Sequence, residues 1–183
     1  MEFKIKDLPI VGVRLLTLPI FKDKRGHFLE SYSEKINKIL NISTNWVQDN
    51  ESVSKKYVFR GLHFQKGKYA QSKLIRVSNG EIIDIIVDLR EKSKTFMKHL
   101  NIKLNKSNSI LYLPRGIAHG FISLDDNTIV NYKCDNEYNP ESESGINPFI
   151  SKLDINWEVN DNEIIISDKD ASFPSLDDSY VFE

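Results

Sequence analysis

Cysteine occurs once in these 183 residues, at Cys134, so no disulfide can close within the chain, and a reducing compartment suits it. Net charge is close to zero, −1, which removes any electrostatic case for a nucleic-acid or acidic-membrane partner, although local cations can still hold a phosphate. Long apolar runs are missing too. The opening stretch MEFKIKDLPIVGVRLLTLPIF is broken by Glu2, Lys4, Lys6, Asp7, Pro9 and Pro19, so it reads as neither a signal peptide nor a membrane span, and a cytoplasmic protein is expected. There is no phosphate-binding P-loop, no dinucleotide fingerprint and no serine nucleophile elbow. Histidine is scarce, at positions 27, 63, 99 and 119 only, with no two a single residue apart, so a clustered histidine metal set cannot be drawn, and no metal is expected. Arginine is also rare in this lysine-rich chain, and its six positions (14, 25, 60, 76, 90 and 115) stand out for that reason.

What the chain has is alternation. Residues 73–78 read as a strand, closed by Asn79-Gly80, a hairpin signal. Residues 81–90 are almost continuously apolar, which predicts a strand covered on both faces. Further strands are expected over 96–104, 109–113, 121–124 and 128–134, with turns at 105–108 and 125–127. Ile36, Ile39 and Leu40 at helical spacing predict a short helix over 33–40, and the tail 167–183 reads as turns plus a short helix. Strands of this length and spacing define an all-β sandwich or barrel with a few short helices. No repeat, low-complexity tract or linker divides the chain, so 1–183 is expected to form one domain.

The stretch RGLHFQ (60–65) sits among Tyr57, Val58, Phe59, Leu62 and Phe64, the residues of a buried strand. Strict alternation would send Arg60 and His63 to opposite faces, but Gly61 permits a bulge that turns both toward one cavity. A lone strand histidine is ordinarily structural. Imidazole is also the usual general base near neutrality, provided a carboxylate orients it. Lys73, after GKYAQS, is either a solvated lysine or an ammonium facing a developing oxyanion. His119, in LPRGIAHGF, reads as a turn histidine or as a donor on a loop lining a strand-end pocket. Tyr132 and Tyr138, in NYKCDNEYNP, are either core tyrosines with wet tips or, in a polar cavity, a proton donor and a stacking surface.

Taken in order, FKDKRGHFLESY (21–32), QDNESVSKKYVFRGLHFQ (48–65), QSKLIRVSNGEIIDIIVDLR (71–90), LPRGIAHGF (113–121), YKCDNEYNPESESGI (132–146) and SDKDASFPSLDD (167–178) resemble the dTDP-4-dehydrorhamnose 3,5-epimerase family over nearly the whole chain. The resemblance implies a cupin-like jelly roll that needs no metal or organic cofactor. It puts His63 on the catalytic base, Asp170 on its carboxylate partner, Tyr132 on the acid that protonates the opposite face, and Lys73 near the sugar's keto oxygen. It puts Arg25, Glu30, Gln48, Asp49, Asn50, Arg60, His119, Glu143 and Lys169 on positions that bind the nucleotide sugar, and Tyr138 on the tyrosine that stacks on the base. In this family the Arg25 segment crosses to a partner subunit, so a homodimer is implied, with the strands of about residues 1–45 contributing.

The implied activity is epimerisation at carbon 3, carbon 5 or both of a nucleotide-diphosphate 4-keto-6-deoxy sugar, hexose or heptose, in making deoxysugar for surface polysaccharide. One segment departs from the family pattern. After Gly145-Ile146 the family commonly carries a tryptophan and an Asp-Pro pair, whereas this chain reads Asn147-Pro-Phe-Ile-Ser151, with no tryptophan until Trp157. The nucleotide (dTDP, GDP or CDP) therefore stays open. So do a 3-epimerase, a cupin ketoisomerase and a non-catalytic sugar-nucleotide-binding jelly roll. The joint presence of base, orienting carboxylate and acid favours the epimerase.

Overall fold

The structure, a computed structural model, describes residues 2–151, 153 and 155–183. Two antiparallel sheets carry the fold. The first runs β1 (Lys4–Asp7), β2 (Arg14–Thr17), β10 (Ser109–Leu113), β7 (Lys73–Asn79), β12 (Thr128–Cys134), β5 (Gln48–Ser54). The second runs β13 (Glu143–Gly145), β6 (Phe59–Gln65), β11 (Ile117–Ser123), β8 (Glu81–Asp88), β9 (His99–Asn105). A hairpin of β3 (Phe21–Asp23) and β4 (Gly26–Phe28) forms a small sheet of its own. Two short helices, α1 (Glu34–Ile39) and α2 (Asp168–Ala171), complete the elements that matter here. From β5 to β12 the chain passes back and forth between the sheets, pausing in one only for the β8–β9 hairpin, and this is a jelly-roll course.

The side-chain period of two builds the layers. Along β7, Ile75 and Val77 face the second sheet and meet Ile82, Ile86, Ile117 and Phe121. Leu74 faces away, into a cluster with Leu16, Leu18, Ile110 and Tyr112 that Ile36 and Leu40 close from α1 and its C-terminal end. Strand β8 is apolar on both sides because both are covered. Its other face, Ile83, Ile85 and Val87, lies under the C-terminal third of the chain through Ile146, Trp157, Ile164, Leu176 and Phe182. No helix among the described residues is long and apolar enough to cross a membrane.

Three local expectations change. Asn79-Gly80 does not close a hairpin, since β7 and β8 belong to different sheets. Gly80, at φ +76°, turns the chain over Thr128, whose Oγ1 would lie 2.4 Å from any Cβ there, so the tight turn is a corner between layers. The strand expected from 96 starts only at His99. The Asp88 carboxylate accepts bonds of 2.6–3.0 Å from the Arg90 N–H and guanidinium and from the Ser93 and Thr95 hydroxyls, which wraps the intervening chain into turns. The strand expected from 121 starts at Ile117 and is buried throughout, so His119 sits within a strand and not on a loop.

Strands β6 and β11 pass very close at Gly61 and Gly120. A Cβ on Gly120 would stand 2.6 Å from the Arg60 carbonyl oxygen and 2.8 Å from the Gly61 Cα. Gly120→Ala is therefore expected to destabilise the protein by about 1–3 kcal/mol, the range for overpacking. Urea unfolding measures this, and an unshifted midpoint would show that the two strands can separate freely.

Candidate active site

The site begins with a bulge. His119 pairs with His63, yet Phe121 pairs with Arg60, so β6 carries one residue more than β11 across this interval. The extra residue shifts the alternation. Phe59, Leu62 and Phe64 all join the outer apolar cluster, which leaves Arg60, His63 and Gln65 to the interior. Gly61 makes this possible. Its φ is +136°, and a Cβ there would stand 2.4 Å from the Gly120 Cα. Arg60 is held by its Nε–H to Ser54 Oγ at 3.0 Å and by a second bond to the Val53 carbonyl at 3.2 Å.

Helix α2 delivers the carboxylate. Ser167 caps it by accepting the Asp170 N–H at 3.1 Å, and the Asn147 amide ties its end through the Ala171 carbonyl at 2.8 Å. Asp170 then reaches β6 with both oxygens. Oδ1 accepts from His63 Nε2 at 2.8 Å, and Oδ2 accepts from the Gly61 N–H at 3.1 Å. Burial works to raise the Asp170 carboxyl, but the His63 ring and the Gly61 N–H outweigh it and hold the group below its ordinary value. With Nε2 engaged by the carboxylate, Nδ1 is the ring nitrogen through which His63 can exchange a proton.

The deeper part of the site is a group of buried polar residues. Lys73, Asp84 and His119 are all nearly sealed from solvent, and His119 Nε2 lies 2.8 Å from Asp84 Oδ2. Burial pushes the Lys73 ammonium down, against the pull of Cys134, Asp84 and Glu143. Burial likewise lowers His119 and raises Asp84. Tyr132 stands on β12, in the other sheet, and burial raises its hydroxyl, keeping it in the protonated form that an acid needs.

Arg60, His63, Lys73, His119, Tyr132, Lys169 and Asp170 line one cavity of about 270 Å³. A pocket of about 100 Å³ shares His63, Lys73 and Tyr132 with it and adds Gln48, Tyr138 and Glu143. There the Tyr138 hydroxyl donates to Glu143 at 2.7 Å, Lys169 pairs with the other Glu143 oxygen at 2.7 Å, and the Tyr138 N–H donates to Gln48 at 2.8 Å. The Tyr138 ring remains half exposed. A larger groove of about 630 Å³ touches this region through Asn50 and Tyr132, and Asp49 belongs to that groove, pointing outward to pair with Lys133 at 2.6 Å. Two residues stay apart. Arg25 lies at the β3–β4 turn with its guanidinium on Asp23 at 2.6 Å, and Glu30 accepts the Ser33 hydroxyl at 2.6 Å. Of the departing segment after Ile146, Asn147 ties α2, and Phe149 lies elsewhere. Phe149 stacks on Trp157 at 4.8 Å and both set their edges against Phe59, on the outer face of the second sheet.

Sequence reasoning missed Asp84, Ser54 and Ser167. Asp84 had a readable signal, a lone acid inside the apolar run IIDIIV, since such a charge requires a buried partner. Ser167 had one as well, a helix-capping serine before Asp-Lys-Asp.

A histidine with its own carboxylate on one wall and a tyrosine on the other form a pair capable of acid–base chemistry, housed between the sheets of a cupin-type jelly roll. Known proteins narrow this class. The family model for dTDP-4-dehydrorhamnose 3,5-epimerase matches residues 7–178. The dTDP-4-dehydrorhamnose 3,5-epimerase of Methanothermobacter thermautotrophicus is 39% identical over 183 residues, covering 99% of this chain and 98% of its own. The crystal structure of the Bacillus anthracis enzyme with TDP and PPi bound is similar at TM-score 0.90 and 41% identity, over 96% of this chain and 100% of that one. The Legionella pneumophila epimerase in complex with dTDP-4-keto-L-rhamnose gives 0.88 at 35% identity, over 96% and 94%. The chain belongs to the dTDP-4-dehydrorhamnose 3,5-epimerase family. It is an isomerase of deoxysugar synthesis, and the ketoisomerase and binding-module readings fall away.

The depressed Asp170 carboxyl has a stability consequence with a definite sign. A group whose folded value lies below its unfolded one stabilises the fold above the unfolded value, near ~3.9 for aspartate, and loses that contribution as pH falls through the folded value. Asp170→Asn is expected to be less stable than wild type by about 1.5–3 kcal/mol at neutral pH, the range for charged hydrogen bonds. The gap should close in acid below ~3.9. Urea titrations across pH measure it, and a gap that is constant with pH would contradict the ionised Asp170 carboxylate.

Proposed function

We propose that this chain inverts carbons 3 and 5 of a dTDP-linked 4-keto-6-deoxy hexose, with His63 as base, Tyr132 as acid and Lys73 at the keto oxygen. The observation that carries the reading is the 2.8 Å His63–Asp170 bond in a cavity whose far wall holds Tyr132. The 4-keto group acidifies the hydrogens on carbons 3 and 5. His63 takes one, and the electron pair moves to the carbonyl oxygen as an enolate. Lys73 offsets that charge in a water-poor setting where a donor is worth most. Tyr132 then supplies a proton from the other side, which inverts the centre. Arg60 and Lys169 face the diphosphate, His119 supports the sugar beside Lys73, and the half-exposed Tyr138, braced by Glu143 and Gln48, takes the base. The TDP and dTDP-sugar in the two related structures support thymidine over guanosine or cytidine, and the departing segment lies on the outer face of the second sheet.

NMR in heavy water, with the dTDP-linked 4-keto sugar beside GDP and CDP counterparts, tests the assignment. Deuterium should enter at both carbons with inverted product. His63→Asn should cut exchange by at least ~100-fold, within the usual range for one acid–base group, while TDP still binds. Tyr132→Phe should impair inversion more than exchange. Turnover that survives His63→Asn would remove the base from this role.

We also infer a homodimer in which the β3–β4 hairpin reaches a second copy. Among the described residues the hairpin pairs only with itself, and Phe21 and Phe28, opposite each other in register, expose 58% and 68% of their surface. A partner lying over this hairpin would cover the aromatic pair and give Arg25 and Glu30 a cavity to serve. Phe21→Asp combined with Phe28→Asp should yield a monomer of reduced turnover in sedimentation velocity. A monomeric wild type would refute the arrangement.

A further inference from the structure

Ser52 has no role in the scheme above. Strand β5 alternates, so Gln48, Asn50, Ser52 and Ser54 turn inward while Asp49, Glu51 and Val53 turn out. Every inward neighbour of Ser52 is engaged. Gln48 donates to Asn50 at 2.8 Å, Asn50 donates to the Tyr132 carbonyl at 3.3 Å, and Ser54 accepts from Arg60 at 3.0 Å. The Ser52 hydroxyl is buried and has no hydrogen-bond partner among the described residues, yet Ser52 lines the cavity that holds His63, Lys73 and Tyr132. A buried hydroxyl left unmatched costs about 1–3 kcal/mol. At a cavity wall such an atom calls for a specific explanation, and a polar ligand atom supplies one.

Register fixes where that atom must be. Asn50 lies opposite Tyr132 and Ser52 opposite Val130, so Ser52 is the diagonal neighbour of Tyr132. One inward step further along is Ser54, on which Arg60 rests. Ser52 thus occupies the wall between the acid and the support of the diphosphate-facing arginine. On the sugar, carbon 1 bears the diphosphate, carbons 3 and 5 exchange protons, and the oxygen of carbon 4 belongs to Lys73. The hydroxyl of carbon 2 is the ring substituent between the diphosphate and the first reacting carbon.

We propose that Ser52 is a substrate-contacting residue whose hydroxyl hydrogen-bonds the carbon-2 hydroxyl of the sugar and so sets carbon 3 against His63 and Tyr132. The assignment rests on the epimerase reading above, with Arg60 at the diphosphate. Ser52 selects for sugars that retain oxygen at carbon 2, a preference the acid–base groups do not provide.

The test is a two-by-two comparison: wild type and Ser52→Ala, each with the dTDP-linked 4-keto-6-deoxy sugar and with its 2-deoxy analogue. TDP binding by calorimetry and thermal unfolding are followed in parallel. Ser52→Ala should raise KM about three- to tenfold for the 2-hydroxy sugar, the equivalent of one neutral hydrogen bond. TDP affinity and melting temperature should stay at wild-type values. The 2-deoxy analogue should suffer a similar penalty with wild type and no further penalty with Ser52→Ala. A variant that keeps the full wild-type preference for the 2-hydroxy sugar overturns the proposal. So does a KM loss accompanied by weaker TDP binding or a lower melting temperature, which would make the serine structural. Failure of the underlying reading looks different, because wild type itself would then exchange no deuterium at carbon 3 or carbon 5.

Discussion

The close passage of β6 against β11 at Gly61 and Gly120 is the constraint on which the site depends. With no Cβ on either residue, the two backbones approach to a distance that any side chain would forbid. The approach admits the extra residue of the bulge, and the bulge turns Arg60 and His63 to the same side. Gly61 also gives its N–H to Asp170. A single residue therefore redirects His63 and anchors the carboxylate that holds it. Because Asp170 bonds the backbone and the imidazole together, the dyad's geometry follows the strand and owes little to side-chain flexibility.

Charge in the site is graded with depth. Lys73, Asp84 and His119 lie sealed in the interior, while Arg60 and Tyr138 stand at its exposed margin. Burying an isolated charge costs several kcal/mol, and the His119–Asp84 contact beside Lys73 reduces that cost by keeping opposite charges in one place. The gradient suits a substrate with two unlike ends. In the proposed scheme a strongly hydrated diphosphate would be met where water can remain, and an enolate would form where little water competes with the Lys73 ammonium. The same burial that pushes the Lys73 ammonium down pushes the Tyr132 hydroxyl up, so the phenol holds its proton.

Much of this could be read from the residues, and the exceptions share a cause. Alternation predicts β7, β9, β10 and β12 but not the N-terminal strands or β5, the apolar run 81–90 predicts a strand covered twice, and Gly61 within Arg-Gly-Leu-His predicts the bulge. Asn79-Gly80 was legible as a turn but not as a corner, because turn chemistry is local while the choice of sheet is made by packing between distant strands. The local sequence of His119 suggests a loop for the same reason. Proline and glycine surround it, and only pairing with both β6 and β8 holds it in a strand. The motif match named Arg25 and Glu30 beside the other binding residues, yet one copy of the chain does not bring them to the cavity. A motif names residues without their distances, and within one copy these two hold only local partners, Asp23 and Ser33.

Inversion imposes a geometric demand that the fold meets directly. A proton must leave one face of a ring and arrive at the other, so base and acid must stand on opposite walls, separated by the thickness of the sugar. Residues of one sheet cannot supply this, because their inward side chains all point the same way. Two packed sheets can, since they face each other across roughly 10 Å. Here His63 comes from β6 in the second sheet and Tyr132 from β12 in the first. The apolar cluster between the sheets keeps that spacing, and where it gives way to polar side chains the cavity opens. In the proposed scheme acid and base thus stand opposed through the packing of the two sheets. The separation that a sandwich needs for its own packing is also the separation that this chemistry needs.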